Sequence, residues 1–203
     1  MAAGVEDHYF VPRPRSAHRE MTIRTTLRGR TFVFTTDAGV FSRGKLDRGT
    51  ELLATHLAVS TDAHVLDVGC GYGVLGIVAA TLAPNGRVVM TDVNERAVDL
   101  AARNIRANGV AHAEARRGAG YEPVAGETFD AILSNPPIRA GKAVVYRIVD
   151  EAGAHLRPHG SLWLVARTKQ GAKSLALRMS AAFGGCDTVA RGSGYRVLRS
   201  LLR

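Results

Sequence analysis

Hydrophobic and polar positions change their period several times along the chain. Between residues 22 and 36, apolar side chains occupy alternate positions on both sides of Gly29, a pattern typical of a β-hairpin. The β-branched, apolar run at residues 64–68 predicts a buried strand, and from Val74 onward the apolar spacing becomes helical. The order of these patterns predicts an N-terminal hairpin ahead of an α/β unit.

Alternating strand and helix patterns continue to the C-terminus. Helices are predicted at residues 47–59, 95–107, 143–156 and 170–183, and strands at residues 87–92, 110–116, 129–134, 161–166, 187–191 and 195–202. Together with the strand at residues 64–68, they predict a doubly wound, mostly parallel, seven-stranded Rossmann-like sheet. Only Gly192-Ser193-Gly194 joins the last two strands, and so short a connection requires an antiparallel last strand.

Length and composition favour one folded domain. The chain has 203 residues, 46% of them hydrophobic, which is sufficient for one full core. Residues 1–21 hold several arginines and little periodicity, so we predict a flexible basic N-terminal tail before a single domain at residues 22–203. No apolar stretch reaches the roughly 18 residues of a membrane span. The N-terminus lacks the apolar region of a signal peptide, so we expect a cytoplasmic protein without a membrane partner.

The charge balance points to polyanionic partners. Lys and Arg number 27 against 18 Asp and Glu, a formal net charge of +9, and the resulting field attracts nucleic acid. The alternative is that the charge serves solubility alone. The two cysteines, Cys70 and Cys186, form no C-x-x-C pair, and Pro158 interrupts the helix that would present His155 and His159 together. We therefore expect neither a disulfide nor a metal.

A glycine loop directly follows the strand predicted at residues 64–68. Residues 67–73 match D-x-G-x-G-x-G, the loop pattern of proteins that bind S-adenosylmethionine (AdoMet), whereas residues 71–76 match the G-x-G-x-x-G dinucleotide fingerprint. The glycines let the backbone turn and approach a ligand closely. The carboxylate of Asp67 can pair with the ammonium of AdoMet, and a nicotinamide site gives no reason for an acid inside the strand. The loop therefore favours AdoMet over a nicotinamide cofactor.

A second carboxylate ends the next strand. Asp92 closes the strand predicted at residues 87–92, and ligands of open α/β sheets bind at the carboxyl ends of strands. A carboxylate at this place can accept hydrogen bonds from both ribose hydroxyls of an adenosyl group. The alternative is a helix-capping role, although Asn94 is the expected N-cap of the helix at residues 95–107.

Asn135-Pro136-Pro137 follows the strand predicted at residues 129–134. Pro136 forces Asn135 into an extended conformation, and prolines have no N–H, so the turn presents acceptors without competing donors. The side-chain oxygen of Asn135 and the carbonyl of Pro136 can each accept one hydrogen of an exocyclic amino group. Such a grip aims the nitrogen lone pair at a methyl sulfonium and strengthens as the nitrogen becomes positive in the transition state. The alternative is an ordinary turn.

These motifs resemble the methyltransferase small domain family, whose best-known members methylate the exocyclic N2 of guanine in ribosomal RNA, including 16S RNA. The resemblance extends over most of the chain. It is carried by His8-Tyr9-Phe10, Gly39-Val40-Phe41-Ser42, Leu46-Asp47-Arg48-Gly49-Thr50, Asp67-Val68-Gly69-Cys70-Gly71-Tyr72-Gly73 and Asn135-Pro136-Pro137-Ile138-Arg139-Ala140-Gly141-Lys142. It implies an AdoMet-dependent rRNA guanine-N2 methyltransferase that acts on ribosomal RNA or a ribosomal subunit.

The resemblance also implies roles for individual residues. Asn135 and Pro136 are the expected catalytic residues that hold the target amine. The expected cofactor-binding residues are Asp67, Gly69, Cys70, Gly71, Asp92, Val93, Ala119 and Asn135. The expected substrate-binding residues are Phe41, Pro137, Ile138, Arg139 and Lys142, with Arg139 and Lys142 meeting RNA phosphates. Phe41 is either a lid over a bound base or an anchor of its loop.

Two departures from the family pattern, and one difference from adenine-stacking enzymes, bear on this expectation. Ala119 stands where an acid commonly accepts the adenine amino group, which predicts the loss of a contact worth about 1–3 kcal/mol. The chain has one copy of the domain where some members have two, so its RNA affinity must come from its own surface or from a homodimer. Ile138 replaces the aromatic residue of adenine-stacking enzymes, which favours guanine. The alternatives are an amino-group methyltransferase for a protein or small-molecule acceptor, and a non-catalytic RNA-binding protein of the same fold.

Overall fold

A computed structural model of the protein describes residues 11–137 and 140–203. It begins with an antiparallel hairpin formed by β1 (Met21–Leu27) and β2 (Arg30–Thr36). Arg28 and Gly29 have φ angles of 51° and 77°, and two consecutive positive φ angles are what a tight two-residue hairpin turn requires. The hairpin prediction and its turn at Gly29 are therefore confirmed.

In the described ranges, five α-helices and seven further strands follow the hairpin. The helices are α1 (Arg48–His56), α2 (Val74–Leu82), α3 (Glu95–Ala107), α4 (Lys142–Ala152) and α5 (Ala172–Phe183). The strands are β3 (His64–Val68), β4 (Arg87–Asp92), β5 (Ala113–Arg117), β6 (Phe129–Ser134), β7 (Leu156–Arg167), β8 (Asp187–Gly192) and β9 (Tyr195–Leu201).

The seven strands form one mixed sheet in the order β5-β4-β3-β6-β7-β9-β8. Strands β3 to β7 run parallel, and β9 is antiparallel to both of its neighbours. This confirms the doubly wound Rossmann-like sheet with an antiparallel last strand. The chain leaves β3 toward β4 on one side and returns to β6 on the other, so the strand order reverses between β3 and β6. Ligands of such sheets bind at this switch point.

Helices cover both faces of the sheet. Buried side chains of the hairpin and of α1, α2 and α3 pack on one face, and those of α4 and α5 pack on the other. Side chains of β7 alternate between the two layers, because successive residues of a strand point to opposite faces. Trp163 belongs to the first layer, and Leu162 and Leu164 belong to the second.

Two asparagines, Asn104 of α3 and Asn108 directly after its end, bind the edge of β2. Asn104 accepts a hydrogen bond from the backbone N–H of Thr35 and donates one to its carbonyl, at 2.8 and 3.0 Å. Asn108 does the same with the N–H and carbonyl of Val33, at 3.0 and 2.8 Å. Asn104 also donates to the carbonyl of Tyr72 at 2.8 Å, so the hairpin, α3 and the glycine loop share one buried amide.

Some element bounds differ from the prediction. β5 begins at Ala113 rather than at residue 110, because the Ala113 N–H turns back to the carbonyl of Val110. The helix predicted at residues 143–156 ends at Ala152, and β7 starts at Leu156, five residues before the predicted strand. Leu156 pairs with Phe129 across a register shift, a long-range contact that the polar residues after Leu156 conceal in the sequence.

Residues 12–20 contact the folded domain. The carbonyl of Pro12 accepts a hydrogen bond from the N–H of Glu95 at 3.1 Å, and Arg96 donates to the carbonyl of Ser16 at 2.9 Å. His18 Nδ1 lies 2.5 Å from a carboxylate oxygen of Asp37. The aromatic motif His8-Tyr9-Phe10 lies outside the described residues, and the division into a tail at residues 1–21 and a domain at residues 22–203 stays a prediction.

Candidate active site

A cavity with three compartments opens where the strand order reverses, at the carboxyl ends of β3, β4 and β6. The central compartment is lined by Val40, Phe41, Gly69, Gly71, Asp92, Val93, Ala97, Asn135, Pro136 and Pro137. A second compartment of about 320 Å³ shares Gly69, Asp92, Val93 and Pro137 and extends to Ala119 and α4. The third shares Phe41, Gly69, Gly71 and Asn135 and adds Thr50, Asp67 and Cys70. The two sequence motifs therefore meet in one site.

The glycine loop forms the floor of this site. Gly69 and Gly71 have φ angles of 71° and 56°, in the left-handed region that strains other residues. The N–H groups of Gly69 and Cys70 donate to the carbonyl of Thr91 at 2.8 and 3.0 Å, which ties the loop to β4. A Cβ built at Gly69 or Gly71 meets no atom within 4 Å, so the missing side chains leave room for a ligand above the backbone.

Asp67 is buried beside the loop, with only 1% of its surface exposed. Its Oδ2 accepts a hydrogen bond from the N–H of Gly76 at 2.9 Å, whereas Oδ1 has no partner among the described residues. Burial raises the pKa of this carboxyl to about 7. A buried carboxylate oxygen without a partner is costly, so a cationic group bound in the third compartment would relieve that cost.

Asp92 links the glycine loop to the end of β4. Its two carboxylate oxygens accept hydrogen bonds from the N–H groups of Gly71 and Asn94, both at 2.9 Å. Burial raises the pKa of Asp92. Asn94 caps α3 by accepting hydrogen bonds from Arg96 and Ala97, so Asp92 is not the N-cap of that helix. A carboxylate has about four acceptor sites, so Asp92 can still accept a hydrogen bond from a hydroxyl in the cavity.

The amide of Asn135 is held in one orientation. Its Nδ2 group donates to Asp47 Oδ2 at 3.0 Å and to Thr50 Oγ1 at 2.9 Å. An ionised carboxylate only accepts hydrogen bonds, so the NH₂ side of the amide must face Asp47. The side-chain oxygen of Asn135 is thus left to act as an acceptor in the cavity. Asp47 and Thr50 are separated from Asn135 by 88 and 85 residues; they belong to a motif of the family resemblance, but the sequence assigned them no role in the site.

The second compartment is mainly apolar around Ala119. Its walls include the apolar side chains of Val93, Tyr121, Val144 and Ile148. Arg147 and Glu151 also line it and form an ion pair, with 2.6 Å between Nε and Oε1. The N–H of Ala119 donates to Glu122 Oε2 at 3.3 Å. A carboxylate that the motifs did not identify thus lies beside the position where an acid was expected.

The family model described as methyltransferase small domain matches residues 31–199 of this chain. The chain belongs to the methyltransferase small domain family. The protein YbxB of Bacillus subtilis (strain 168), named as uncharacterized, is 36% identical over 198 residues, which are 97% of this chain and 98% of that protein. The ribosomal RNA small subunit methyltransferase C of Pseudomonas entomophila (strain L48) is 37% identical over 166 residues, which are 80% of this chain and 48% of that protein.

A solved structure is similar to almost the whole of this methyltransferase. It is the T. thermophilus 16S rRNA N2 G1207 methyltransferase (RsmC) in complex with AdoMet and guanosine, with a TM-score of 0.80 and 27% identity. The match covers 94% of this chain and 52% of that chain. The chain thus spans about half the length of the curated and solved small subunit methyltransferases that it matches.

The family match and the similar structure with bound AdoMet confirm the predicted family, fold and cofactor. They favour AdoMet over the nicotinamide alternative. The donor set fits that cofactor. Asp67 offers an unpartnered carboxylate oxygen for the ammonium, Asp92 offers acceptors for the ribose, and the open backbone at Gly69 and Gly71 leaves space between them. Burial raises the pKa of the Cys70 thiol, so this side chain of the loop stays protonated.

The remaining predicted site residues lie in different places. Phe41 is half-buried in the walls of the central and third compartments. Lys142 is exposed at the start of α4 and lines a separate depression with Tyr146 and Ser174. Ile138 and Arg139 lie outside the described residues.

Among residues 11–137 and 140–203, no group of three His, Cys, Asp or Glu side chains is arranged to hold a metal ion. No described helix has both the length and the apolarity to cross a membrane.

Proposed function

We propose that this methyltransferase transfers the methyl group of AdoMet to guanine N2 of ribosomal RNA of the 16S type. The observation that carries the proposal is the fixed amide of Asn135, whose free acceptor stands in the same cavity as the glycine loop. The names of two similar proteins and the net charge of +9 support ribosomal RNA, free or in a subunit, as the substrate. The protein acts in the cytoplasm, as a monomer or homodimer with one domain at residues 22–203.

The cofactor lies along the glycine loop in this proposal. Asp67 would pair with its ammonium, Asp92 would accept its ribose hydroxyls, and Gly69, Cys70 and Gly71 would line its site. Val93 and Ala119 would hold the adenine in the apolar second compartment, and Asn135 would complete the site. Bound AdoMet supplies an electrophilic methyl group, and the residues of the chain supply its orientation.

The turn after β6 orients the nucleophile. Asn135 Oδ1 and the carbonyl of Pro136 accept the two hydrogens of the amino group, so its lone pair is directed at the methyl group. As the nitrogen becomes pyramidal and positive, these hydrogen bonds strengthen, which stabilises the transition state more than the ground state. The methylated ammonium is acidic enough to lose its proton to water, so the step requires no strong general base.

The surroundings of the turn favour a nucleobase as the acceptor. Phe41 and Pro137 line the central compartment and can hold a flat ring, and Ile138 in place of an aromatic residue favours guanine over adenine. Arg139 and Lys142 meet phosphates of the RNA. Because each neutralised phosphate releases counterions, RNA binding should weaken steeply with salt concentration.

Transfer of tritiated methyl groups to small ribosomal subunits and to naked ribosomal RNA tests the proposal. We expect N2-methylguanosine after nucleoside digestion, and a loss of about 10²–10³-fold in kcat for Asn135→Ala. Leu177→Ala is the matched control, because this side chain is 63% exposed on α5. Methylation of a protein or a small molecule instead of RNA would refute the proposed substrate, and full activity of Asn135→Ala would refute the mechanism.

A further inference from the structure

The amide of Asn135 is one end of a hydrogen-bonded network that reaches β9, two strands away from β6 in the sheet. Asp47 Oδ2 accepts hydrogen bonds from Asn135 Nδ2 at 3.0 Å and from the backbone N–H of Thr50 at 2.9 Å. Asp47 Oδ1 accepts a hydrogen bond from the hydroxyl of Tyr195, on β9, at 3.2 Å. Thr50 Oγ1 accepts the second hydrogen of the Asn135 amide at 2.9 Å. Both hydrogens of that amide are therefore used within the protein.

The network is built into the packing around α1. Asp47 is the N-cap of this helix, and Thr50 and Tyr195 are only 8% and 7% exposed. Gly49 makes the close approach possible, because a Cβ at this position would lie 2.6 Å from the Tyr195 ring. The guanidinium of Arg167 lies over the same ring, 5.0 Å from its centroid. Helix α1 and strands β7 and β9 thus fix the position of the Asp47 carboxylate.

An asparagine amide can turn over and exchange its acceptor for its donor with little change of shape. Turning over Asn135 would bring its oxygen against the acceptor oxygen of Asp47, and it would remove one of the hydrogen bonds that this carboxylate accepts. The observed orientation is therefore strongly preferred. It leaves an acceptor toward the cavity, which suits an amino group and disfavours a carbonyl group at the same place.

We propose that Asp47 and Thr50 are positioning residues that hold Asn135 with its oxygen toward the target amine and so set the preference of the site for amino acceptors. This rests on the proposed function, because it takes the Asn135 oxygen as the acceptor for that amine. Tyr195 acts one step further away, by fixing Asp47. The network lies outside the glycine loop, so its disturbance should change kcat more than the affinity for AdoMet.

Thr50→Val and Asp47→Ser test this inference with little disturbance of the fold. Valine keeps the shape of threonine but removes the acceptor, and serine keeps a capping oxygen for α1 but does not reach Asn135. We expect kcat to fall about tenfold for Thr50→Val, the factor that corresponds to one lost hydrogen bond, and more for Asp47→Ser. Thr50→Ser keeps the hydroxyl acceptor, so its kcat should be well above that of Thr50→Val. The factor lost in AdoMet affinity should be smaller than the factor lost in kcat, and the thermal midpoint should fall by no more than a few degrees.

A double-mutant cycle with Asn135→Ala separates positioning from a general structural effect. If Thr50 acts through Asn135, Thr50→Val should cause no further loss of kcat once Asn135 is alanine. A loss by the same factor in both backgrounds would overturn the inference, and so would wild-type kcat in Thr50→Val.

Solvent exchange of the Asn135 side-chain NH₂ hydrogens tests the inference without an activity assay. Their NMR signal is assigned by its absence in Asn135→Ala. We expect slow exchange in the wild type and faster exchange in Thr50→Val and Asp47→Ser; equal rates in all three would overturn the inference. If the wild type transfers no methyl group to RNA, the proposed function fails, and the exchange rates still decide whether Asp47 and Thr50 hold the amide.

Discussion

The raised pKa of Asp67 predicts that AdoMet affinity changes with pH in a specific way. This carboxyl is buried, its Oδ1 has no partner among the described residues, and its pKa is about 7. The bound ammonium favours the ionised form, so binding below pH 7 must first remove a proton. One pH unit below the pKa, the protonated form exceeds the ionised form about tenfold, which weakens binding by about 1.4 kcal/mol. The affinity should therefore rise about fivefold between pH 6 and the pKa.

A second limb follows from the ligand. The α-amino group of AdoMet loses its proton near the ordinary value for such groups, about 7.7–8.0, and then no longer pairs with a carboxylate. We therefore expect a narrow optimum between the two pKa values. Isothermal titration calorimetry at several pH values, in buffers of different ionisation enthalpy, measures both the affinity and the proton released on binding.

Asp67→Asn is the matched control for this prediction. Asparagine keeps an acceptor for the Gly76 N–H but does not titrate, so the acid limb should disappear while binding weakens at pH 7 and above. Asp92 is a second buried carboxyl with a raised pKa, and it stays in the variant. An acid limb that persists unchanged in Asp67→Asn, or a wild-type affinity that is flat below pH 7, would refute the assignment of Asp67 to the ammonium.

Three further substitutions test the site and its support. Gly71→Ala should weaken AdoMet binding at least about tenfold, because φ of 56° strains an alanine by about 1–2 kcal/mol and its Cβ enters the cavity; wild-type affinity in calorimetry would contradict this. Ala119→Asp should tighten AdoMet binding by about 1–3 kcal/mol if the adenine amino group lies beside this position; an unchanged affinity would mean that it does not. Asn104→Ala should lower the free energy of unfolding by several kcal/mol, because it leaves the backbone of Thr35 and the carbonyl of Tyr72 without partners. Urea unfolding beside Leu177→Ala measures this loss, and equal midpoints would contradict it.

Several elements could be predicted to the residue because their signals are local. Strands β3 and β4 and helix α3 have the predicted bounds, since a run of apolar residues, a capping Asn94 and a terminal Gly109 all lie within or beside them. The start of β7 could not be found in this way. Leu156 belongs to that strand only through its pairing with Phe129, and Arg157-Pro158-His159 interrupts the apolar pattern that would have shown it.

The same distinction applies to the site. The glycine loop and the Asn135-Pro136-Pro137 turn are each a contiguous motif, so both could be identified from the sequence. The structure places them in one cavity. Asp47 and Thr50 contact Asn135 only because α1 packs against the end of the sheet, and no short motif joins them. Two signals were available: the segment Leu46-Asp47-Arg48-Gly49-Thr50 is one of the motifs of the family resemblance, and Asp47 stands at the start of a predicted helix, where a capping side chain is expected.

The side-chain amides of Asn104 and Asn108, which bind the backbone of β2, affect how the protein behaves at high concentration. Asn104 and Asn108 are one helical turn apart, about 6 Å along the axis, and this matches the rise of two residues in a strand. They therefore fill the places on Val33 and Thr35 that a neighbouring strand would occupy. An exposed strand edge is a template for pairing with another chain and for aggregation. Here the two side-chain amides take the place of a neighbouring strand. We therefore expect that β2 does not pair with a strand of another chain.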